Sequence, residues 1–207
     1  MQQTLDELAI KHGTDKSSLH HNYCHIYEQY FKHLQHEHIK FAEVGFGGYE
    51  YPDRGGQGLR MWREWFTKAE IICVDLFFKI NPVPGTEFIQ LSQDNEEIAG
   101  ICKGASVFID DGSHINPLTI RTFELVWPVL APGAFYVIED IESSWCPADG
   151  WAKGCSDPYN YEAPTAKNLG VELISAINAQ YVPNFAHLYK DIQSVHFHKN
   201  VIIIKKR

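Results

Sequence analysis

The stretch ASVFIDDGSHIN, residues 105–116, decides how this chain is read. Its apolar start has the composition of a buried strand, and Pro117 then opens a run with helical spacing. A strand end that only had to turn would need Gly112 and one aspartate. This one carries Asp110, Asp111, Ser113 and His114 as well. Similar endings recur: Glu43 closes the apolar run 39–44, Asp75 closes 71–76, and Glu139 and Asp140 follow 134–138.

Between these runs the spacing predicts helices over 2–11, 22–34, 59–66, 94–102, 117–130 and 167–180. Further strands are expected at 86–91 and 106–110, and as a closing hairpin, 194–198 and 201–205, joined at Lys199-Asn200. Strands that are apolar throughout and alternate with helices belong to a parallel sheet covered on both faces. The expected fold is therefore a doubly wound α/β domain with a mostly parallel, seven-stranded sheet and an antiparallel last strand. One domain is expected over residues 1–207, with N-terminal helices inside residues 1–35.

At 207 residues the chain is long enough for a proper core. A net charge of −8 argues against a nucleic-acid backbone as partner and suits a site that holds a cation. The N-terminus lacks a basic-then-apolar leader pattern, and no apolar run approaches a membrane span. Five cysteines without a CxxC pair point to reduced thiols, so a cytoplasmic location is expected.

In a parallel sheet the carboxylate endings fall along one edge, where open α/β sheets bind ligands. EVGFGG, residues 43–48, follows the first strand; its glycines allow the backbone to approach a cofactor. The spelling is not the G-x-G-x-x-G of a dinucleotide site, which disfavours a nicotinamide-dependent oxidoreductase. An acid before the glycines suits a ligand with an ammonium group, and Asp75 stands where a ribose diol would be gripped. Asp111, Glu139 and Asp140 are hard oxygen donors on neighbouring strand ends, with no Cys or His cluster in competition. That set favours magnesium, or manganese in its place, over zinc.

Glu43, Gly45, Gly47 and Gly48 with Asp75 resemble the S-adenosylmethionine site of class I methyltransferases. More specifically, HGTDK (12–16), GGQGLRMW (55–62), IDDGSH (109–114) and VIED (137–140) resemble the magnesium-dependent O-methyltransferases of macrolide sugars, the mycinamicin type. The resemblance implies S-adenosylmethionine, magnesium and transfer to the hydroxyl of a sugar or glycoside. It implies Asp111, Glu139 and Asp140 as metal ligands and His114 as base. It also implies Gln93 and Asp94 near adenine, and a role for Thr14, within HGTDK, in closing over the cofactor. The macrolide enzymes carry an additional N-terminal domain that has no counterpart in these 207 residues.

An imidazole, with an ordinary pKa of about 6.5, can accept a hydroxyl proton near neutrality. Asp110 is expected to face the opposite side from Asp111 and to orient the cofactor side. The loop holding Tyr49, Tyr51, Asp53 and Arg54 is long for a strand-to-helix turn, as functional loops are. Residues 142–166 are rich in aromatics and are expected to form a substrate lid. His36-Glu37-His38 and His196-x-His198 have metal-like spacing but read as surface histidines. The expected function is metal-dependent sugar O-methylation of a small-molecule acceptor, compatible with a homo-oligomer, with a non-catalytic S-adenosylmethionine-binding module as the rival.

Overall fold

The computed structural model describes residues 3–80, 82–145, 164–178, 181 and 190–207. Seven strands form one sheet: β1 Lys40–Val44, β2 Glu70–Asp75, β3 Glu87–Gln90, β4 Val107–Asp110, β5 Phe135–Ile138, β6 Ile192–His198 and β7 Val201–Lys206. Their order is β3-β2-β1-β4-β5-β7-β6. The helices are α1 Leu5–His12, α2 Tyr23–Phe31, α3 Gln57–Trp65, α4 Glu97–Ile101, α5 Asn116–Val126 and α6 Ala166–Ile177. The chain divides into two compact units, residues 1–92 and 93–207.

In the first unit β1 pairs parallel with β2, and β2 with β3. The apolar runs of β1 and β2 are buried, whereas β3, at one edge of the sheet, is partly exposed. Their cover is aromatic: Phe41, Trp62 and Phe66 pack with centroids 5.2–5.8 Å apart, and Tyr27 and Phe31 close on Trp62. A capping box starts α1, in which the Thr4 hydroxyl accepts from the Glu7 amide and the Glu7 carboxylate accepts from the Thr4 amide. Gly13, in the left-handed region, ends it, so the chain turns sharply into a segment where Thr14, Lys16 and Ser17 are buried.

In the second unit β4 and β5 pair parallel, β5 and β7 antiparallel, and β6 and β7 close the expected hairpin at Lys199-Asn200. Asn200 takes φ +60°, a conformation asparagine tolerates. Phe108, Phe123 and Tyr136 form the core here, with centroids 4.8–5.0 Å apart around Tyr136. The expected helix 117–130 stops at Val126 and continues as a 3-10 turn over 127–129, because Pro128 cannot donate to the helical ladder. Lys206 Nζ donates to the Trp127 and Pro128 carbonyls, which this break leaves without helical partners. The expected helix 94–102 is only Glu97–Ile101, since the Asn95 side chain accepts from the Glu97 amide and holds the residues before it in a turn.

Of the expected lid, residues 146–163 lie outside the described residues, as do Cys146 and Cys155. Cys24, Cys73 and Cys102 are buried. Among the described residues no helix is long and apolar enough to cross a membrane.

Candidate active site

In the first unit the residues of interest surround the turn after β1. Glu43 is 2% exposed, and its Oε1 accepts from Trp62 Nε1 at 3.2 Å. Lys16 Nζ stands 3.8 Å from the same oxygen, and Lys16 is equally buried. An ammonium group of the chain itself thus stands next to this acid, that of Lys16 in the HGTDK motif. Thr14 is buried beside it, and its hydroxyl accepts from the Lys16 amide at 3.4 Å. His12 points elsewhere, pairing with Glu64 at 2.8 Å.

Gly45 and Gly47 take φ +103° and +78°, so the chain after β1 coils tightly. Farther along this loop the backbone folds against itself. A Cβ on Gly48 would stand 2.5 Å from the Arg54 carbonyl carbon, and one on Gly55 would strike the Gly47 carbonyl. Asp75 fastens the turn: Oδ2 accepts from the Phe46 amide and Oδ1 from the Phe77 amide, both at 2.8 Å. Buried Lys79 donates to the Tyr49 and Tyr51 carbonyls. Tyr49, Tyr51, Asp53 and Arg54 line, with Arg60, a cavity of about 680 Å³.

In the second unit β4 and β5 bring four carboxylates close together. Asp110 turns into the core at 2% exposure, whereas the Asp111 side chain is 25% exposed. Tyr136 Oη and Gln93 Nε2 donate to Asp110 at 3.4 and 3.3 Å. Burial pushes the Asp110 carboxyl up to about 7; the Gly112 amide works against this and the neighbouring Asp111 charge adds to it. Glu139 is buried, and one of its oxygens lies within 4.8 Å of an Asp111 oxygen. His114 Nε2 is 3.6 Å from Asp140 Oδ2 and 3.9 Å from Asp111 Oδ1.

Backbone strain falls on the same residues. His114 takes φ +56° and Asp140 φ +52°, in the left-handed region that costs a non-glycine residue about 1 kcal/mol or more. Such outliers persist where surrounding contacts determine them, and here they face each other. Gln93 supplies one contact, its Oε1 accepting from the Ser113 amide at 2.9 Å. Asp94 is half-buried on the turn before α4. Asn116, buried at the start of α5, accepts from Ser144 Oγ at 3.1 Å and from the Ala166 amide at 2.8 Å. It thereby fastens together both chain segments that flank residues 146–163. Neither Gln93's link to Ser113 nor Asn116's clamp has a local sequence signal.

The other histidine pairs stay apart from this chemistry. His36 and His38 are exposed, and His196 Nε2 contacts Ser194 Oγ at 2.8 Å. Among the described residues neither pair joins a metal-type cluster.

A solved methyltransferase of the mycinamycin pathway, MycE, in complex with Mg, S-adenosylhomocysteine (SAH) and mycinamycin VI, superposes with a TM-score of 0.88 at 29% identity, over 99% of this chain and 54% of that one. The fold is that of the class I methyltransferases. Over 98% of its length the chain is 31% identical to an 8-demethyl-8-(2-methoxy-alpha-L-rhamnosyl)-tetracenomycin-C 3'-O-methyltransferase of Streptomyces olivaceus, covering 53% of that protein. It is 30% identical to the mycinamicin VI 2''-O-methyltransferase of Micromonospora griseorubida, over 98% of this chain and 52% of that one. This methyltransferase-fold chain therefore spans about half the length of the curated relatives it matches, and it resembles sugar O-methyltransferases throughout. No family model matches the sequence.

Proposed function

We propose that the protein is a metal-dependent O-methyltransferase that moves the methyl group of S-adenosylmethionine to a sugar hydroxyl of a glycosylated small molecule. The observation that carries this reading is His114 set against Asp111 and Asp140 in a methyltransferase fold. Glu43, Gly45, Gly47, Asp75 and Thr14 of the first unit are assigned to the cofactor, as is Asp94 of the second. Asp110, also of the second unit, is assigned an orienting role toward the cofactor.

Asp111, Glu139 and Asp140 hold magnesium or manganese, since oxygen donors with a net negative charge fit a hard divalent ion. Bound there, the ion offsets carboxylate repulsion and makes a neighbouring hydroxyl more acidic. His114 Nε2 takes the hydroxyl proton, and the charge the ring acquires is met by the Asp111 and Asp140 oxygens. The alkoxide oxygen then forms a bond to the sulfonium methyl carbon as the carbon–sulfur bond breaks. The electron pair returns to sulfur, giving SAH. Because this is an in-line displacement, positioning supplies most of the rate.

Labelled S-adenosylmethionine, magnesium and a panel of rhamnosides and other glycosides test the reading. Label should pass to a glycoside hydroxyl and stop when the metal is chelated. Transfer that persists undiminished in chelator overturns the metal assignment, and a wild-type protein that binds no SAH overturns the reading as a whole.

A further inference from the structure

Gln93 follows β3 and is 6% exposed, with every polar atom of its amide engaged inside the second unit. Nε2 donates to Asp110 Oδ1 at 3.3 Å and to Thr122 Oγ1 at 3.0 Å, and Oε1 accepts from the Ser113 amide at 2.9 Å. The orientation of the amide is set by its surroundings. A backbone N–H can only donate, so the oxygen must face Ser113, and the NH2 then faces two acceptors. Thr122 is itself fixed on α5, its hydroxyl contacting the Leu118 carbonyl at 2.8 Å.

These bonds meet at the strained residue. The Ser113 amide, just before His114, is held by Gln93, and the Ile115 amide, just after it, donates to Ser113 Oγ at 3.2 Å. His114 sits between two tethered peptides at φ +56°, a conformation a histidine keeps only when its flanks enforce it. A glutamine so engaged has no amide N–H left to donate to an adenine ring, because both donors are taken.

We propose that Gln93 is a positioning residue that acts through His114: it ties the 110–114 turn to α5 and holds the imidazole beside Asp111 and Asp140. This rests on the methyltransferase reading for the role of His114, but the clamp itself can be tested without turnover. Gln93→Met keeps the volume and removes all three bonds. Amide exchange at Ser113 should accelerate about tenfold or more, and the His114 Cα resonance should move away from its left-handed position. The dissociation constant for SAH should stay within about threefold of wild type. In turnover, kcat should fall on the order of tenfold to a hundredfold with KM for S-adenosylmethionine unchanged.

If Gln93→Met does not fold, Thr122→Val removes one anchor of the amide and should give a smaller shift in the same direction at His114. An SAH affinity weakened about tenfold or more would make Gln93 a cofactor contact and overturn the proposal. So would a Ser113 amide and a His114 resonance that stay as in wild type. Should the wild-type protein bind no SAH, the methyltransferase reading fails while exchange at Ser113 still decides the clamp.

Discussion

Two buried carboxylates, one in each unit, stand at strand ends and meet opposite surroundings. Glu43, on β1, has the Lys16 ammonium and the Trp62 indole N–H beside it. Asp110, at the end of β4, has among the described residues neutral donors alone, namely Gln93, Tyr136 and the Gly112 amide, with a second carboxylate next in sequence. Both are 2% exposed. Burial alone therefore does not decide what a strand-end acid does; its charge partner does. Glu43 is built as half of an ion pair, whereas Asp110 is pushed up to about 7.

The comparison breaks most visibly at Lys16. Lys16→Met leaves Glu43 buried beside no cation, which should cost about 3–5 kcal/mol of stability, read as a lower urea midpoint. Adding Glu43→Leu should recover most of that loss, since replacing both members of a buried pair is often close to neutral. If Lys16→Met unfolds like wild type, the pair contributes nothing and the contrast with Asp110 disappears.

A pH titration of stability in chelator sharpens the other side. The folded Asp110 carboxyl keeps its proton up to about pH 7, while in the unfolded chain it releases it near 3.8. Between those values the unfolded state binds fewer protons, so stability falls as pH rises and levels off above about 7. The full loss amounts to at most about 4 kcal/mol. Asp110→Asn should remove that slope, gaining on wild type at pH 8 and matching it near pH 4. Parallel curves for the two proteins would show that Asp110 ionises without penalty.

Asp75 tests a third strand-end acid, held by the Phe46 and Phe77 backbone amides. Asp75→Ala should weaken SAH binding by a factor of about ten or more by calorimetry, as charge-assisted hydrogen bonds worth about 1.5–3 kcal/mol are lost. Unchanged affinity would remove Asp75 from the cofactor site. The smallest effect on stability is expected at His114. His114→Gly relieves the left-handed backbone and should gain up to about 1 kcal/mol in stability while lowering turnover by a factor on the order of 10²–10⁴. A variant that loses stability as well would show that the imidazole packs rather than strains.

Much of this architecture was legible in the residue order. Apolar runs such as Phe108-Ile109 and Tyr136-Val137-Ile138 read as strands because side-chain burial repeats along the chain itself. The carboxylates and glycines at the strand ends were legible for the same reason. Pro128 is legible too, yet helical spacing continues past it, so the stop of α5 at Val126 shows only in the structure.

Tertiary structure alone decided the pairing. Glu43 and Lys16 are 27 positions apart, Gln93 and Ser113 are 20, and Asn116 and Ala166 are 50. Periodicity reports which face of an element is buried and says nothing about which distant polar group arrives there. Nothing local in TDKSS marks Lys16 as an ion-pair partner, and nothing around Gln93 marks it as a clamp, until the fold places a carboxylate beside one and the His114 turn beside the other. The sequence by itself determined the sheet and the acids along its edge. Which acid is neutralised by a cation, which keeps a proton and which faces the histidine follows from burial and hydrogen bonding, and these exist only once the chain has folded.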